Sequence, residues 1–360
     1  MSLPKVVVTR RLPPKAWNRL RAQADLVCWD QDYPVAREWL LDHLPTAEGL
    51  YCLLTDRIDR EVLQFGKRLR VVSTMSVGYD HIDVGECTTR GIAIGHTPGI
   101  LTEATADLAF ALLLAAARRI VEGADYVRQG RWTTWSPDLL LGQEVSGATL
   151  GIVGFGRIGQ AMARRAQGFR MNVLAVRSSH GVSGLPRSSD SSRPGVQPSA
   201  TLEFRWEILP PWSSQDQAQE SFLKYVDLQE ALAKSDFVSL HVPLTPQTHH
   251  LIGESEFRVM KPSGILINTA RGTVVDTEAL YHALSKGIIG GAALDVTDPE
   301  PIPASHLLLT LPNCLIIPHL GSASVATRTR MACMAVENVV AGLRGEVLPH
   351  CVNPEVYEMR

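Results

Sequence analysis

The sequence predicts an α/β protein of two linked units, each a parallel sheet covered by helices, with a cleft between them. Three observations carry this reading. A chain of 360 residues is long for one hydrophobic core, so about two domains of ordinary size are expected. Short runs rich in Val, Ile and Leu alternate with helical stretches, as strands buried on both faces do. A long apolar helical segment then divides these runs into two series.

The first series places strands near Lys5 to Thr9, Leu26 to Trp29, Gly49 to Leu54, Arg70 to Met75 and Ile92 to Gly95. The dividing helix is read as starting at Thr102, an N-cap type of residue. It runs through Ala104, Ala106, Leu108, Ala109, Leu112, Leu113 and Leu114. With so few polar interruptions it is expected to be buried all round, within its own subunit or against a second chain. The second series is Thr149 to Phe155, Asn172 to Val176, Phe237 to Val242, Gly264 to Thr269, Gly291 to Val296 and Cys314 to Pro318. From Ser178 to about Gln217 the chain turns rich in Ser, Pro and Gly, which predicts a surface insertion that loops out.

Bulk properties narrow the function. With a formal net charge of -2 there is no basic field to hold nucleic acid. The first ten residues lack the apolar core of a signal peptide, and no stretch is long enough to span a bilayer, so a cytoplasmic setting is expected. Cys28, Cys52, Cys87, Cys314, Cys333 and Cys351 are scattered, without the paired spacing of a zinc site or disulfide framework. His249-His250 lacks carboxylates or cysteines at ligand spacing, so no metal is expected.

One segment reads as a nucleotide site. Thr149 to Val153 runs into Gly154-Phe155-Gly156-Arg157-Ile158-Gly159 and then a helix, Gln160 to Gln167, with the next strand at Asn172. Strand, G-x-G-x-x-G and helix in this order form the context for binding a dinucleotide. Gly154 permits the tight turn, Gly156 clears the approach of the pyrophosphate, and Gly159 lets the helix pack on the strand. Arg157 and Ile158 fall at the helix start, where free N–H groups face the phosphates. After the next strand an NAD site carries an acidic residue, but here Arg177 and Ser178 follow. A cation with a hydroxyl suits a 2′-phosphate, so NADP(H) is expected to be preferred, with NAD(H) possible.

Three more segments fall at carboxyl ends of strands in the second series, where open α/β sheets bind ligands. They are Asn268-Thr269-Ala270-Arg271-Gly272, Leu294-Asp295-Val296 leading to Pro299-Glu300-Pro301, and Ile316-Ile317-Pro318-His319-Leu320-Gly321-Ser322. These residue types suit a 2-oxo acid, the substrate class implied by the family resemblance given below, which needs donors for its carboxylate, a proton for its carbonyl oxygen and a hydride at C2. Arg271 suits the carboxylate and polarises the ketone. His319 suits the general acid. Glu300 suits the other ring nitrogen, fixing the tautomer and favouring the protonated ring. Asp295 and Gly321 are read as lining the cofactor.

Here the sequence resembles the D-2-hydroxyacid dehydrogenase family, and within it the glyoxylate/hydroxypyruvate reductase subgroup. The resemblance rests on these segments together with Ser73-Thr74-Met75-Ser76-Val77-Gly78-Tyr79-Asp80-His81-Ile82-Asp83, Thr97-Pro98-Gly99, Leu101-Thr102-Glu103 and Arg131-Trp132-Thr133-Thr134-Trp135. It implies a flavodoxin-like substrate-binding domain of residues 1–101 and 320–360 and a Rossmann NADP-binding domain of residues 102–319. It implies a homodimer formed through about residues 102–135. It also implies carboxylate donors from the backbone N–H groups near Val77 and Gly78, with Ser322 adding a hydroxyl. The implied reaction is NADPH-dependent reduction of glyoxylate to glycolate and of hydroxypyruvate to D-glycerate. Trp132 and Trp135 are expected in the interface or core, and Trp135 is read as restricting the pocket to small substrates. Two other readings stand beside this one: a dehydrogenase of another 2-hydroxy acid, and a dinucleotide-sensing protein resembling the transcriptional corepressors of this fold.

Overall fold

The computed structural model describes residues 3–176 and 222–358. The expected insertion of residues 178–217 therefore lies outside the described residues, together with Arg177 and Ser178.

β1 (Lys5–Val8), β2 (Asp25–Cys28), β3 (Gly49–Cys52), β4 (Val71–Thr74) and β5 (Ala93–Gly95) form one sheet in the order β2-β1-β3-β4-β5. Every neighbouring pair is parallel. This is the flavodoxin-like order. Between these strands run α1 (Pro14–Arg21), α2 (Arg37–His43), α3 (Arg60–Phe65) and α4 (Val84–Thr89). Asp59 and Asp83 accept the Val62 and Glu86 N–H groups and so cap α3 and α4.

α5 (Thr102–Ala117) and α6 (Ile120–Arg128) lead to the second sheet. It contains β6 (Thr149–Val153), β7 (Asn172–Val176), β8 (Leu223–Val226), β9 (Phe237–Leu240), β10 (Ile265–Asn268), β11 (Gly291–Leu294) and β12 (Cys314–Ile316), in the order β12-β11-β10-β9-β6-β7-β8. All of its pairings are parallel. Numbered within the sheet and read from β8, the order is 3-2-1-4-5-6 with a seventh strand added, the doubly wound arrangement whose order reverses between β6 and β9. α7 (Arg157–Gly168), α8 (Leu228–Lys234), α9 (Glu254–Val259) and α10 (Thr277–Ser285) follow within this unit.

The chain then returns. α11 (Val325–Arg344) lays Ala332, Ala335, Val336, Val339 and Leu343 against Val6, Val8, Tyr51 and Val71 of the first sheet. Gly342 permits the approach, because a Cβ there would meet Val71 at 2.5 Å. The tail adds an antiparallel bridge from Cys351 to Gly95, and the buried Asn353 side chain ties both the Ile94 N–H and the Ile92 carbonyl.

Three expectations need correction. The cap position of α5 is Leu101, and Thr102 is the first helical residue, making no side-chain cap bond. Nor is α5 buried all round within the single chain. Ala106, Ala109, Phe110, Leu112 and Leu113 face inward, while Glu103, Asp107 and Ala111 are exposed. The two carboxylates pair with Arg164 and Arg165 of α7, so the polar stripe serves contact with the neighbouring helix. Trp132 and Trp135 are exposed in the single chain, at 60% and 78%, which removes them from its core. The edge strand β8 is an addition. Its middle residues Lys224 and Tyr225 are exposed, so it offers no apolar run to read.

Candidate active site

Arg271, Glu300 and His319 come from the ends of three adjacent strands, β10, β11 and β12. Each is placed by local chemistry. The buried Asn268 side chain accepts the Ala270 N–H and donates to the Arg271 carbonyl, which shapes the turn leaving β10. Gly272 follows because no Cβ would fit against the Thr297 carbonyl. His319 has φ of 51°, in the left-handed region. That region costs a residue with a side chain about 1–2 kcal/mol. Asp295 holds it there. Its carboxylate accepts the Leu320 N–H and, at 2.8 Å, the Gly321 N–H, while its carbonyl accepts the His319 N–H at 2.9 Å. The Thr105 hydroxyl of α5 donates to the Gly321 carbonyl, fixing the segment from the other side.

The His319 Nδ1 lies 2.6 Å from Glu300 Oε1, and Glu300 Oε2 accepts the Thr297 N–H at 3.2 Å. Burial alone would raise the Glu300 carboxyl. The bond to His319 and its charge, with the Thr297 amide, outweigh burial and hold it below the usual range. A carboxylate there makes Nδ1 the donor, so Nε2 is the nitrogen left to face a ligand.

The first sheet supplies the opposite wall. The loop after β4 carries Val77 and Gly78, and the Arg271 guanidinium lies where a Gly78 side chain would be. Asp80 of the same loop takes Arg271 Nε and Nη2 at 3.2 and 3.1 Å, while Nη1 donates to the Ala270 carbonyl. Burial acts to raise the Asp80 carboxyl, but the Arg271 charge and hydrogen bonds prevail and lower it. Asp80 stands in a motif visible in the sequence, yet nothing there announces its partner, 191 residues away.

At the switch point between β6 and β9 the three glycines differ in a telling way. Gly154 has φ of 95°, and a Cβ on it would meet the His241 carbonyl at 2.7 Å. Gly159 is packed against the Gly154 carbonyl. Gly156 has nothing within 4 Å of where a Cβ would stand. It also occupies the N-cap of α7, so Arg157 and Ile158 form the first turn. An open cradle at a helix start, between two closed glycines, fits a bound pyrophosphate. His241, just after β9, is half-buried beside this turn with its Nε2 2.9 Å from the Ser239 hydroxyl; burial lowers it to about 4. Ser322 follows on the His319 segment, partly buried. The His249 and His250 rings stack at 4.0 Å, and no group of three metal-ligating side chains occurs among the described residues.

Comparison with known proteins agrees with this architecture. Residues 110–190 and 201–321 match the family described as D-isomer specific 2-hydroxyacid dehydrogenase, NAD binding domain. The chain is 46% identical over 358 residues to a glyoxylate reductase of Korarchaeum cryptofilum, covering 99% of this chain and 98% of that one. It is 43% identical to a glyoxylate reductase of Thermofilum pendens, covering 100% and 97%. Among solved structures, a Thermus thermophilus protein aligns with TM-score 0.81 and 45% identity, covering 97% of this chain and 99% of that one. An NADPH-dependent glyoxylate/hydroxypyruvate reductase of Sinorhizobium meliloti, solved with NADP and malonate, aligns with TM-score 0.76 and 28% identity, covering 98% of each chain. The chain belongs to the D-isomer specific 2-hydroxyacid dehydrogenase family.

Proposed function

We propose that this protein reduces small 2-oxo acids with NADPH, converting glyoxylate to glycolate and hydroxypyruvate to D-glycerate. The observation that carries the proposal is that Arg271 and a carboxylate-paired histidine, His319, follow β10 and β12 at the carboxyl end of one sheet, with Glu300 following β11 between them. In this reading the unit built on the first sheet, with residues 320–360, binds substrate, and residues 102–319 bind the nucleotide. The glyoxylate reductases among its relatives support the substrate class.

Arg271 offers five N–H donors, of which three are engaged by Asp80 and the Ala270 carbonyl. One N–H remains on each terminal nitrogen for the substrate carboxylate, and the amides of Val77 and Gly78 and the Ser322 hydroxyl would add further donors. The guanidinium also polarises the adjacent ketone. When bound, the cofactor supplies the hydride that reaches C2. His319 delivers its Nε2 proton to the carbonyl oxygen, which becomes the product hydroxyl, and Glu300 holds the charge-bearing ring in place throughout. Donors placed in advance lower the cost of charge developing on that oxygen.

Gly154, Gly156, Arg157, Ile158 and Gly159 would hold the pyrophosphate, with Gly321 and the segment braced by Asp295 nearby. Arg177 and Ser178 support NADP(H) over NAD(H) by residue type, as a cation and hydroxyl at the adenosine end. The exposed apolar side chains Ile120, Val121, Val127, Trp132 and Trp135 support a homodimer through about residues 102–135. No helix among the described residues is long and apolar enough to cross a membrane. A cytoplasmic setting is proposed, and the free cysteines, scattered along the chain, support it.

The test is a panel of 2-oxo acids of increasing size with NADPH and with NADH. Highest kcat/KM for glyoxylate or hydroxypyruvate with NADPH is expected. A clear preference for a larger oxo acid, or for NADH, would overturn that part of the assignment.

A further inference from the structure

The loop after β4 shows an unusual asymmetry in its backbone hydrogen bonds. Every carbonyl from Ser76 to Tyr79 is occupied. Ser76 O accepts the Thr97 N–H at 2.9 Å, Val77 O accepts His96 Nδ1–H at 3.0 Å, Gly78 O accepts the Ser76 hydroxyl at 2.6 Å, and Tyr79 O accepts the Ile82 N–H at 3.0 Å. The N–H groups of Val77, Gly78 and Tyr79, by contrast, donate to nothing among the described residues. A trans peptide is planar, with C=O and N–H pointing in opposite directions. Fixing the carbonyl of one residue therefore aims the N–H of the next. Successive free N–H groups of this kind form a concavity that takes an anion.

The groups doing the fixing are themselves fixed. Ser76 has one hydroxyl hydrogen, spent on the Gly78 carbonyl. Thr74 Oγ1, 2.7 Å from Ser76 Oγ, must then be the donor of that pair, which spends its hydrogen too. His81 Nε2, 3.1 Å from Thr74 Oγ1, must in turn carry a hydrogen. The direction of the relay is settled from His81 through Thr74 and Ser76 to the Gly78 carbonyl. On the other side His96 stacks edge-on with Tyr79, and its own carbonyl accepts the buried Asn338 side chain.

We propose that His96 and Ser76 are positioning residues of the substrate-carboxylate site: by holding the Val77 and Gly78 carbonyls they keep the N–H groups of Gly78 and Tyr79 turned, beside that of Val77, toward one anion. This rests on the proposed reduction of 2-oxo acids and adds to it the residues that set substrate affinity from beneath the loop. Neither side chain touches substrate. Because the anion is held alike before and during reaction, the effect falls on KM and not on kcat.

The test compares His96→Phe, His96→Asn and Ser76→Ala with the full-length parent protein, after thermal melts confirm folding. Phenylalanine keeps the ring against Tyr79 and removes the donor, whereas asparagine restores a donor near the Nδ1 position. Each is read by glyoxylate KM and kcat with NADPH, and by calorimetric titration with oxalate, a carboxylate that cannot be reduced. Loss of one hydrogen bond predicts about a ten-fold rise in KM and in the oxalate Kd for His96→Phe and Ser76→Ala, with kcat within about two-fold. His96→Asn should lie close to the parent. Parental KM and oxalate binding in both donor-removing variants would overturn the proposal, as would equal impairment of His96→Asn and His96→Phe. If the parent binds oxalate but does not turn over any 2-oxo acid, the reaction assignment fails on its own, and the oxalate titrations still decide the role of the loop.

Discussion

Asp80 and Arg271 form an ion pair across the two sheets, with the carboxylate on the side-on edge of the guanidinium formed by Nε and Nη2. The pair does more than neutralise charge. It fixes the plane of the fork and so the orientation of the remaining N–H groups, which in the proposed reaction meet a substrate carboxylate. Asp80→Asn keeps the shape and removes the charge. Its kcat/KM for glyoxylate is expected to fall about 10- to 100-fold, as for loss of a hydrogen bond to a charged group. Steady-state kinetics with an unchanged melting profile check this, and parental kcat/KM would show that Arg271 orients itself unaided.

Asp295 acts on the backbone that carries His319. With its carboxylate on the Leu320 and Gly321 N–H groups, it stabilises the left-handed conformation of the histidine. Asp295→Asn places an amide NH2 against one of those donors. The expected result is at least a roughly ten-fold loss of kcat with a smaller change in glyoxylate KM. A variant with KM raised and kcat intact would mean that Asp295 serves binding instead.

Two histidines make stability depend on pH. Burial holds both His81 and His241 down to about 4, whereas a histidine in the unfolded chain titrates near 6.5. Between these values the unfolded chain binds protons that the folded chain refuses. Stability is therefore full above about 6.5 and is lost as pH falls toward 4, by on the order of 3 kcal/mol per histidine at the lower end. The thermal midpoint should fall through this window, and His241→Gln should flatten the fall. An equal slope in parent and variant would contradict the assignment.

The exposed apolar face of α6 predicts association. Ile120 and Val127 are 55% and 53% exposed, and Trp135 on the following loop is more so. Sedimentation should give twice the 39.4 kDa chain mass, and Val127→Asp should shift the species toward the monomer. A parent protein sedimenting as a monomer at micromolar concentration would refute the dimer.

Much of this architecture is legible because burial leaves a mark on sequence. Strands such as Val6-Val7-Val8 and Ile265-Leu266-Ile267 are apolar throughout because both faces of each sheet are covered. β8 escapes the same reading because an edge strand with Lys224 and Tyr225 exposed needs no such run. The cap of α5 misleads for a related reason: the Thr102 residue type fits an N-cap, but the turn at Leu101 starts the helix first. In the site, the types of Arg271, Glu300 and His319 suggest the proposed chemistry, whereas Asp80, His96 and Ser76 meet their partners only through folding. Ser76 and Gly78 sit two apart in a recognisable motif, yet the bond between them depends on a turn that spacing alone does not specify.

The most direct test of the central claim is oxidation of NADPH by glyoxylate and hydroxypyruvate, measured on the parent chain and on His319→Ala. General acid catalysis contributes about 10² to 10⁴ in rate. The account predicts turnover by the parent and a loss of kcat of that order in the variant, with NADPH binding retained. Turnover that survives in His319→Ala, or a folded parent that binds NADPH and reduces neither acid, would contradict it.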